Sequence, residues 1–394
     1  VFELRTATSI GVLYLLVSLW ACSNLSTIEV DRSNTEAFQY VRRDLREDVD
    51  SLVQPLIDQG VTPGAVVGVL LPGGHKRFFS YGVAERGQSR KPDAHTLFAI
   101  GSLSKGFLGA MTSILVQEGQ LSWNDTLEKS LPPGTPLSAT AKRITLLQLA
   151  THTSGLPRQP NTFTVFVSFM EYLFDGESFY GRFNRAYMLH YLATFDDPPH
   201  YQYSNVGYGL LGYVIELRTG LSLEALFKQT IGKPLGLLST DYYPEFLPNY
   251  PMRARGYAGD QPKFIPRGTP VPDWKFTGLM KGSAGLYSTA EDLLTFASYN
   301  LKSDNTLLTA ALKDTLKVRF VTDNGGAAIA WTVQNYDGQQ IAYELGIVAG
   351  YTSYLGLDLR HGTAVVVLQN TFNWDESVGT RLLVRLGAAQ DCKV

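Results

Sequence analysis

Ser102 and Lys105 stand three residues apart in the stretch FAIGSLSKGFLGAMTSI, residues 98–114. A serine hydroxyl is a poor nucleophile until a base takes its proton, and a lysine amine one helical turn away is such a base. Phe107, Leu108, Met111 and Ile114 recur at helical spacing, which predicts a helix opening near Ser102. A helix N-terminus adds free N–H groups and positive potential around any oxyanion formed there. Taken alone, S-x-x-K also describes an ordinary helix start with a solvated lysine, and a chain of this size holds roughly one or two by chance.

The elements that must position this pair are legible on both sides of it. Residues 65–71 and 77–81, joined by the turn Pro72-Gly-Gly-His75, read as a β-hairpin. Residues 35–59 carry apolar positions at helical spacing. After Gly282 the strand-like runs 327–333, 340–345, 352–358 and 363–369 follow one another, with turns at 336–338 and 360–362. Thr289 with Asp292 three residues on marks a helix start, and an amphipathic helix is expected over 376–386. Strands near both ends with a mainly helical block between them predict an α/β fold of the α+β type. One antiparallel sheet is completed by both chain ends, flanked by helices, with the helical block inserted. The expected division is a sheet part at 35–98 and 282–390 and a helical part at 99–281.

Within the helical block, His152 follows a run that Gly155 and Pro157 stop, so it reads as a residue capping a helix end rather than a catalytic one. Residues 158–200 are rich in aromatics at irregular spacing, among them Phe163, Phe169, Tyr172, Phe174, Tyr180 and Phe183. They fit either short helices covering a cleft or a satellite hydrophobic cluster under an insertion. Tyr201-Gln-Tyr-Ser-Asn205 leads directly into a Gly-rich helix at 206–217.

Composition excludes several classes. With 44% hydrophobic and 18% charged residues in 394, the chain builds a large core. A net charge of -2 without a basic run argues against nucleic acid as a partner. Two cysteines near the ends, Cys22 and Cys392, write no disulfide framework, and the six histidines show no metal-ligand spacing. Neither cofactor nor metal is expected. The apolar run 10–21 is short for a membrane span and fits an export signal. Leu-Trp-Ala-Cys22 resembles a bacterial lipoprotein cleavage box, with Trp20 where a small residue is usual. Residues 1–22 are thus expected to be a signal or lipoprotein-type export segment with Cys22 as the lipid anchor. Residues 23–34 read as a tether, and 35–390 as the folded domain working outside the cytoplasm.

Three markers occur in order: Ser102-Leu-Ser-Lys105, Tyr203-Ser-Asn205, and Glu344-Leu-Gly346 before Gly350-Tyr351. With LATHTSGLP at 149–157 and GSAGLYSTAEDL at 282–293, the chain resembles the class C-like branch of the serine β-lactamase and penicillin-binding protein superfamily over about residues 38–386. That branch includes D-alanyl-D-alanine carboxypeptidases and endopeptidases and carboxylesterases. The resemblance implies Ser102 as the acylated nucleophile, Lys105 as taking or relaying its proton, and Tyr203 as working with the lysine and protonating the leaving group. A cation beside a phenol favours phenolate, which fits that pairing. It further implies Asn205 holding the lysine and a substrate amide, with the N–H groups of Ser102 and Ile347, beside Gly346, forming an oxyanion hole.

The third motif departs from the pattern. Relatives of this type place Lys or His where this chain has Glu344, so a substrate carboxylate meets repulsion there. Glu344 is also a candidate partner that holds Lys105 protonated. The expected activity is cleavage of an amide, lactam or ester through a Ser102 acyl-enzyme, on a small-molecule or peptidoglycan-type substrate. A carboxylesterase preferring neutral esters and a catalytically silent penicillin-recognising or wall-binding protein are the rival readings. Membrane contact is expected only through the N-terminal anchor.

Overall fold

The computed structural model describes residues 45–159, 162–175, 180–260, 265–276, 278–336, 338–373 and 377–391. The apolar run 10–21, Cys22, the tether, the first ten residues of the helix expected over 35–59, and Cys392 lie outside the described residues. Among the described residues no helix is long and apolar enough to cross a membrane.

The longer helices are α1 (Leu45–Asp58), α2 (Ser104–Gln117), α3 (Thr162–Asp175), α4 (Arg185–Thr194), α5 (Asn205–Thr219), α6 (Ala290–Asn300), α7 (Leu307–Thr315) and α8 (Ser377–Asp391). The strands are β1 (Gly64–Leu70), β2 (Lys76–Gly82), β3 (Phe98–Ala99), β4 (Tyr287–Ser288), β5 (Phe320–Thr322), β6 (Gly325–Ala327), β7 (Thr332–Tyr336), β8 (Gln339–Val348), β9 (Tyr351–Asp358) and β10 (Thr363–Gln369). Eight of them form one antiparallel sheet in the order β2-β1-β10-β9-β8-β7-β6-β5. The N-terminal hairpin therefore docks on the C-terminal strand, with Ala65 opposite Gln369 and Leu70 opposite Ala364. This is the mixed fold with a sheet closed by both chain ends that the sequence predicts.

Strand alternation decides which helices cover which face. Ala65, Val67, Val69, Val365 and Val367 face α1 and α8 through Val49, Leu52, Val53, Val378, Leu382 and Leu383. Their neighbours Val66, Leu70, Ala364, Val366 and Leu368 belong to the larger core shared with α2, α5 and α6. Because both faces are covered, β9 and β10 are buried at every position, and β10 carries the apolar run Ala364–Leu368. Helix α2 is buried from Ser104 to Leu115 on all sides, as a helix through the middle of a core must be.

One expectation is corrected. The single strand expected over 327–333 is two strands, because residues 328–331 leave the sheet. Ile329 N–H donates to Thr315 O (2.9 Å) and Ala330 N–H to Ala150 O (3.2 Å), with Ala330 at φ 64. Of the two readings of the aromatic stretch 158–200, the helices are present as α3 and α4, and Tyr172, Tyr180, Phe183 and Met188 join the main core, not a satellite cluster. Tyr172 donates its hydroxyl to Pro272 O, and Tyr180 packs on Trp274 and Phe276 with ring centroids 6.1 and 5.2 Å away.

Candidate active site

The site lies where the start of α2 meets the β8 edge. Ser102 sits in a tight 3-10 turn, Gly101–Leu103, that runs straight into α2. Gly101 has φ +51, and a Cβ on it would lie 2.8 Å from Ile347 N. A Cβ on Gly346 would lie 2.0 Å from Ile100 O and 2.2 Å from Ser353 Oγ. Both glycines are therefore required for the turn and the strand to touch. Ser353 Oγ donates to Ile100 O (2.8 Å) and ties the same junction from β9. The Ser102 turn and the Ile347 backbone are thereby held side by side.

Lys105 is fully buried and its Nζ has two close oxygens, Ser102 Oγ at 2.9 Å and Ser283 O at 2.8 Å. Burial brings its pKa down to about 7; Glu344 opposes that shift and Arg158 reinforces it. Burial penalises the ammonium because no carboxylate bond compensates the lost hydration in full. In the amine form, Nζ keeps an N–H for the Ser283 carbonyl and turns its lone pair to the Ser102 hydroxyl. The pairing of Glu344 with Lys105 raised from the sequence thus has the right direction, and burial outweighs it.

Tyr203 stands in the loop before α5. Its hydroxyl donates to Glu344 Oε1 at 2.8 Å. Burial pushes this phenol well above its ordinary pKa, Glu344 pushes it further, and Arg158 and Ser102 oppose. The expectation that a neighbouring cation makes Tyr203 more acidic is therefore corrected: the carboxylate and the lost solvation prevail over Lys105, whose Nζ lies 4.9 Å from the ring centroid. Glu344 is 6% exposed, within β8 opposite Leu355. Asn205 opens α5 behind the cap Ser204, whose Oγ accepts from Gly207 N–H at 2.8 Å. Its Oδ1 is buried and has no hydrogen-bond partner among the described residues.

Three neighbours complete the site: His152, which the sequence read only as a cap, and Arg158 and Ser283, which it gave no role. His152 lies just past the short helix Leu146–Ala150 at φ 60 and does more than end it. Its Nδ1 accepts from Ser204 N–H (3.0 Å), its carbonyl accepts from Gln202 N–H (2.7 Å), and its ring lies 4.3 Å from that of Tyr203. Burial, then Lys105 and Arg158, depress its pKa well below the usual value, so it is a neutral prop for the tyrosine loop. Arg158 places its Cζ 5.1 Å from the centroid of the same ring. Ser283 supplies the second oxygen to Lys105. The segments LATHTSGLP and GSAGLYSTAEDL pointed to His152 and Ser283 as part of a signature, and Arg158 follows the first of these directly.

A buried serine–lysine pair at a helix mouth is thus faced by a tyrosine loop and a strand edge. The beta-lactamase family model matches residues 49–390, and the chain belongs to that family. It is 28% identical over 363 residues to an unguisins hydrolase (ungD') of Aspergillus campestris, covering 87% of this chain and 65% of that protein. It is 30% identical over 245 residues to the D-alanyl-D-alanine-carboxypeptidase/endopeptidase AmpH of Escherichia coli, covering 60% of this chain and 57% of that protein. The chain spans between half and two thirds of the length of such curated relatives. The crystal structure of D-alanine carboxypeptidase AmpC from Burkholderia cenocepacia superposes with a TM-score of 0.71 at 22% identity. The match covers 88% of this chain and 99% of that one, and at such identity it speaks for the fold alone.

Proposed function

We propose that the protein is a serine hydrolase that cleaves an amide, lactam or ester through an acyl-enzyme on Ser102. The observation carrying this reading is Lys105 Nζ, stripped of solvent and 2.9 Å from Ser102 Oγ, with a pKa near neutrality. A neutral amine there takes the hydroxyl proton as Oγ attacks the acyl carbon. The N–H groups of Ser102 and Ile347 receive the oxyanion, and Asn205 Oδ1 accepts an N–H on the acyl portion. Water then attacks the acyl-serine with Lys105 again as base. A silent binding protein has no need of a deprotonatable lysine on its serine.

A second reading, a carboxylesterase preferring neutral esters, is favoured by Glu344. A buried carboxylate on the Tyr203 hydroxyl repels an anionic group on the substrate. Export, with Cys22 as a lipid anchor, belongs to the same proposal and is supported by the apolar run 10–21. Equal aqueous partitioning of wild type and Cys22→Ser in detergent would remove the anchor.

The test of the acyl-enzyme is Ser102→Ala. Fluorophosphonate labelling should vanish and p-nitrophenyl acetate turnover fall by about 10³ or more. Turnover at the wild-type rate would oblige another nucleophile.

A further inference from the structure

The single proton of the Tyr203 hydroxyl points at Glu344 Oε1, 2.8 Å away, on the strand edge that also carries Gly346 and Ile347. On the other side of the serine, Lys105 holds Ser102 Oγ and Ser283 O and makes no bond to the phenol. We propose that Glu344 withholds the Tyr203 hydroxyl from the leaving group, so that the site takes acyl esters whose leaving oxygen departs with little proton help, in preference to amides. This rests on the acyl-enzyme reading above.

The chemistry follows from where each proton ends. Ser102 Oγ–H passes to the Lys105 amine as the Oγ–C bond forms. The C–O bond of the ester then breaks, and the leaving oxygen keeps the electron pair. The Lys105 ammonium returns the proton to that oxygen afterwards and is an amine again for deacylation. An amide nitrogen cannot leave this way, because it must gain a proton as the C–N bond breaks. Tyr203 is the group placed to give one, but doing so leaves a phenolate in contact with a carboxylate. Two adjacent anions in a buried site resist forming. Glu344 is thus a positioning residue that acts through Tyr203. Replacing it with glutamine keeps the shape and offers an N–H to a phenolate, which frees the proton for the leaving group.

The experiment is a series of substituted phenyl acetates, from p-nitrophenyl to p-cresyl, with kcat/KM followed at about pH 8.5, above the titration of Lys105. The charged and titratable groups facing Lys105 are Tyr203, Tyr208, Glu344, Arg158 and His152, and at this pH Lys105 is already largely amine in wild type. Wild type should show a steep fall in kcat/KM as the leaving phenol becomes less acidic. In Glu344→Gln the fall should flatten, with p-cresyl acetate gaining about tenfold relative to p-nitrophenyl acetate. Tyr203→Phe, which keeps the ring and deletes the hydroxyl, should retain the wild-type slope. An unchanged slope in Glu344→Gln, or a steeper one in Tyr203→Phe, overturns the proposal. Should Glu344→Gln fail to fold, Tyr203→Phe decides alone. Ester turnover surviving in Ser102→Ala would instead remove the acyl-enzyme.

Discussion

Lys105 and Tyr203 flank the same serine, the first fully buried and the second half-buried, and the loss of solvent sends them to opposite uses. Losing solvent favours the neutral form of each. For lysine the neutral form is the base; for tyrosine it is the acid, so the same physical pressure arms one residue and disarms the other as a proton acceptor. Glu344 lies within reach of both and works against each in its charged or discharged state. It favours the Lys105 ammonium, and it opposes the Tyr203 phenolate. A motif naming a Lys and a Tyr does not say which carries the proton. The surrounding solvation and the nearest carboxylate decide.

The largest effect is expected at Lys105. Lys105→Ala should lower kcat/KM for p-nitrophenyl acetate by about 10² to 10⁴, as loss of a general base does. A smaller loss than that of Tyr203→Phe would reverse the assignment and make the tyrosine the base. Fluorophosphonate labelling rates on the folded variants, checked by circular dichroism, read the same step without turnover.

Gly346 tests whether the two halves need their fixed spacing. A methyl there would lie 2.0 Å from Ile100 O, so Gly346→Ala must push β8 away from the Ser102 turn. Activity should fall by about 10- to 100-fold, since displacements near 1 Å cost that much in aligned sites. Full activity with an unchanged melting curve would place the reacting atoms elsewhere.

The pH profile sharpens the lysine half. Below a pH of about 7 Lys105 becomes ammonium, and its lone pair is lost to the serine. The acid limb of kcat/KM should therefore bend near that value and fall about tenfold per pH unit beneath it. A bend near the ordinary lysine value would mean that the amine is solvated in the working enzyme.

Much of this was legible in the sequence, and the reason is spacing. Ser102 and Lys105 lie one turn apart, and Tyr203 with Asn205 open a helix, so local geometry alone brings each pair together. The strands at both ends were readable because alternation and turns are local signals; β10 was expected at 363–369 and runs Thr363–Gln369. What escaped was made across long separations. Lys105 reaches Ser283 over 178 positions, and Tyr203 reaches Glu344 over 141. The sign reversal at Glu344 was visible, but the group it grips was not, because both candidates carry polar atoms and only the folded loop brings the phenol to it. Arg158 left no signal beyond its place after LATHTSGLP, since its effect is a field on Lys105, His152, Tyr203 and Tyr180. His152 read as a cap because a helix does end there; its second bond, to the tyrosine loop, needed the fold.

The smallest expected effect is also the most discriminating, because two substitutions should move one limb in opposite directions. Arg158 faces Tyr203 and disfavours positive charge on Lys105, whereas Glu344 favours it. In Arg158→Gln the ammonium loses a repelling neighbour, its pKa rises, and the acid limb of kcat/KM moves to higher pH. In Glu344→Gln it loses an attracting one, and the limb moves to lower pH. Arg158 is only partly buried, so water and salt weaken its reach, and its shift should be the smaller. At pH 6.5 this amounts to about a twofold loss in Arg158→Gln and a gain of a few-fold in Glu344→Gln, by Coulomb's law at an effective dielectric near 20. Raising the salt should shrink the arginine effect first, because the carboxylate is buried and the guanidinium only partly so. The measurement is kcat/KM for p-nitrophenyl acetate from pH 5.5 to 9 at two salt concentrations. Shifts of the same sign in both variants would mean that the limb belongs to a group other than Lys105, and the contrast between the two flanks of Ser102 would have to be redrawn around it.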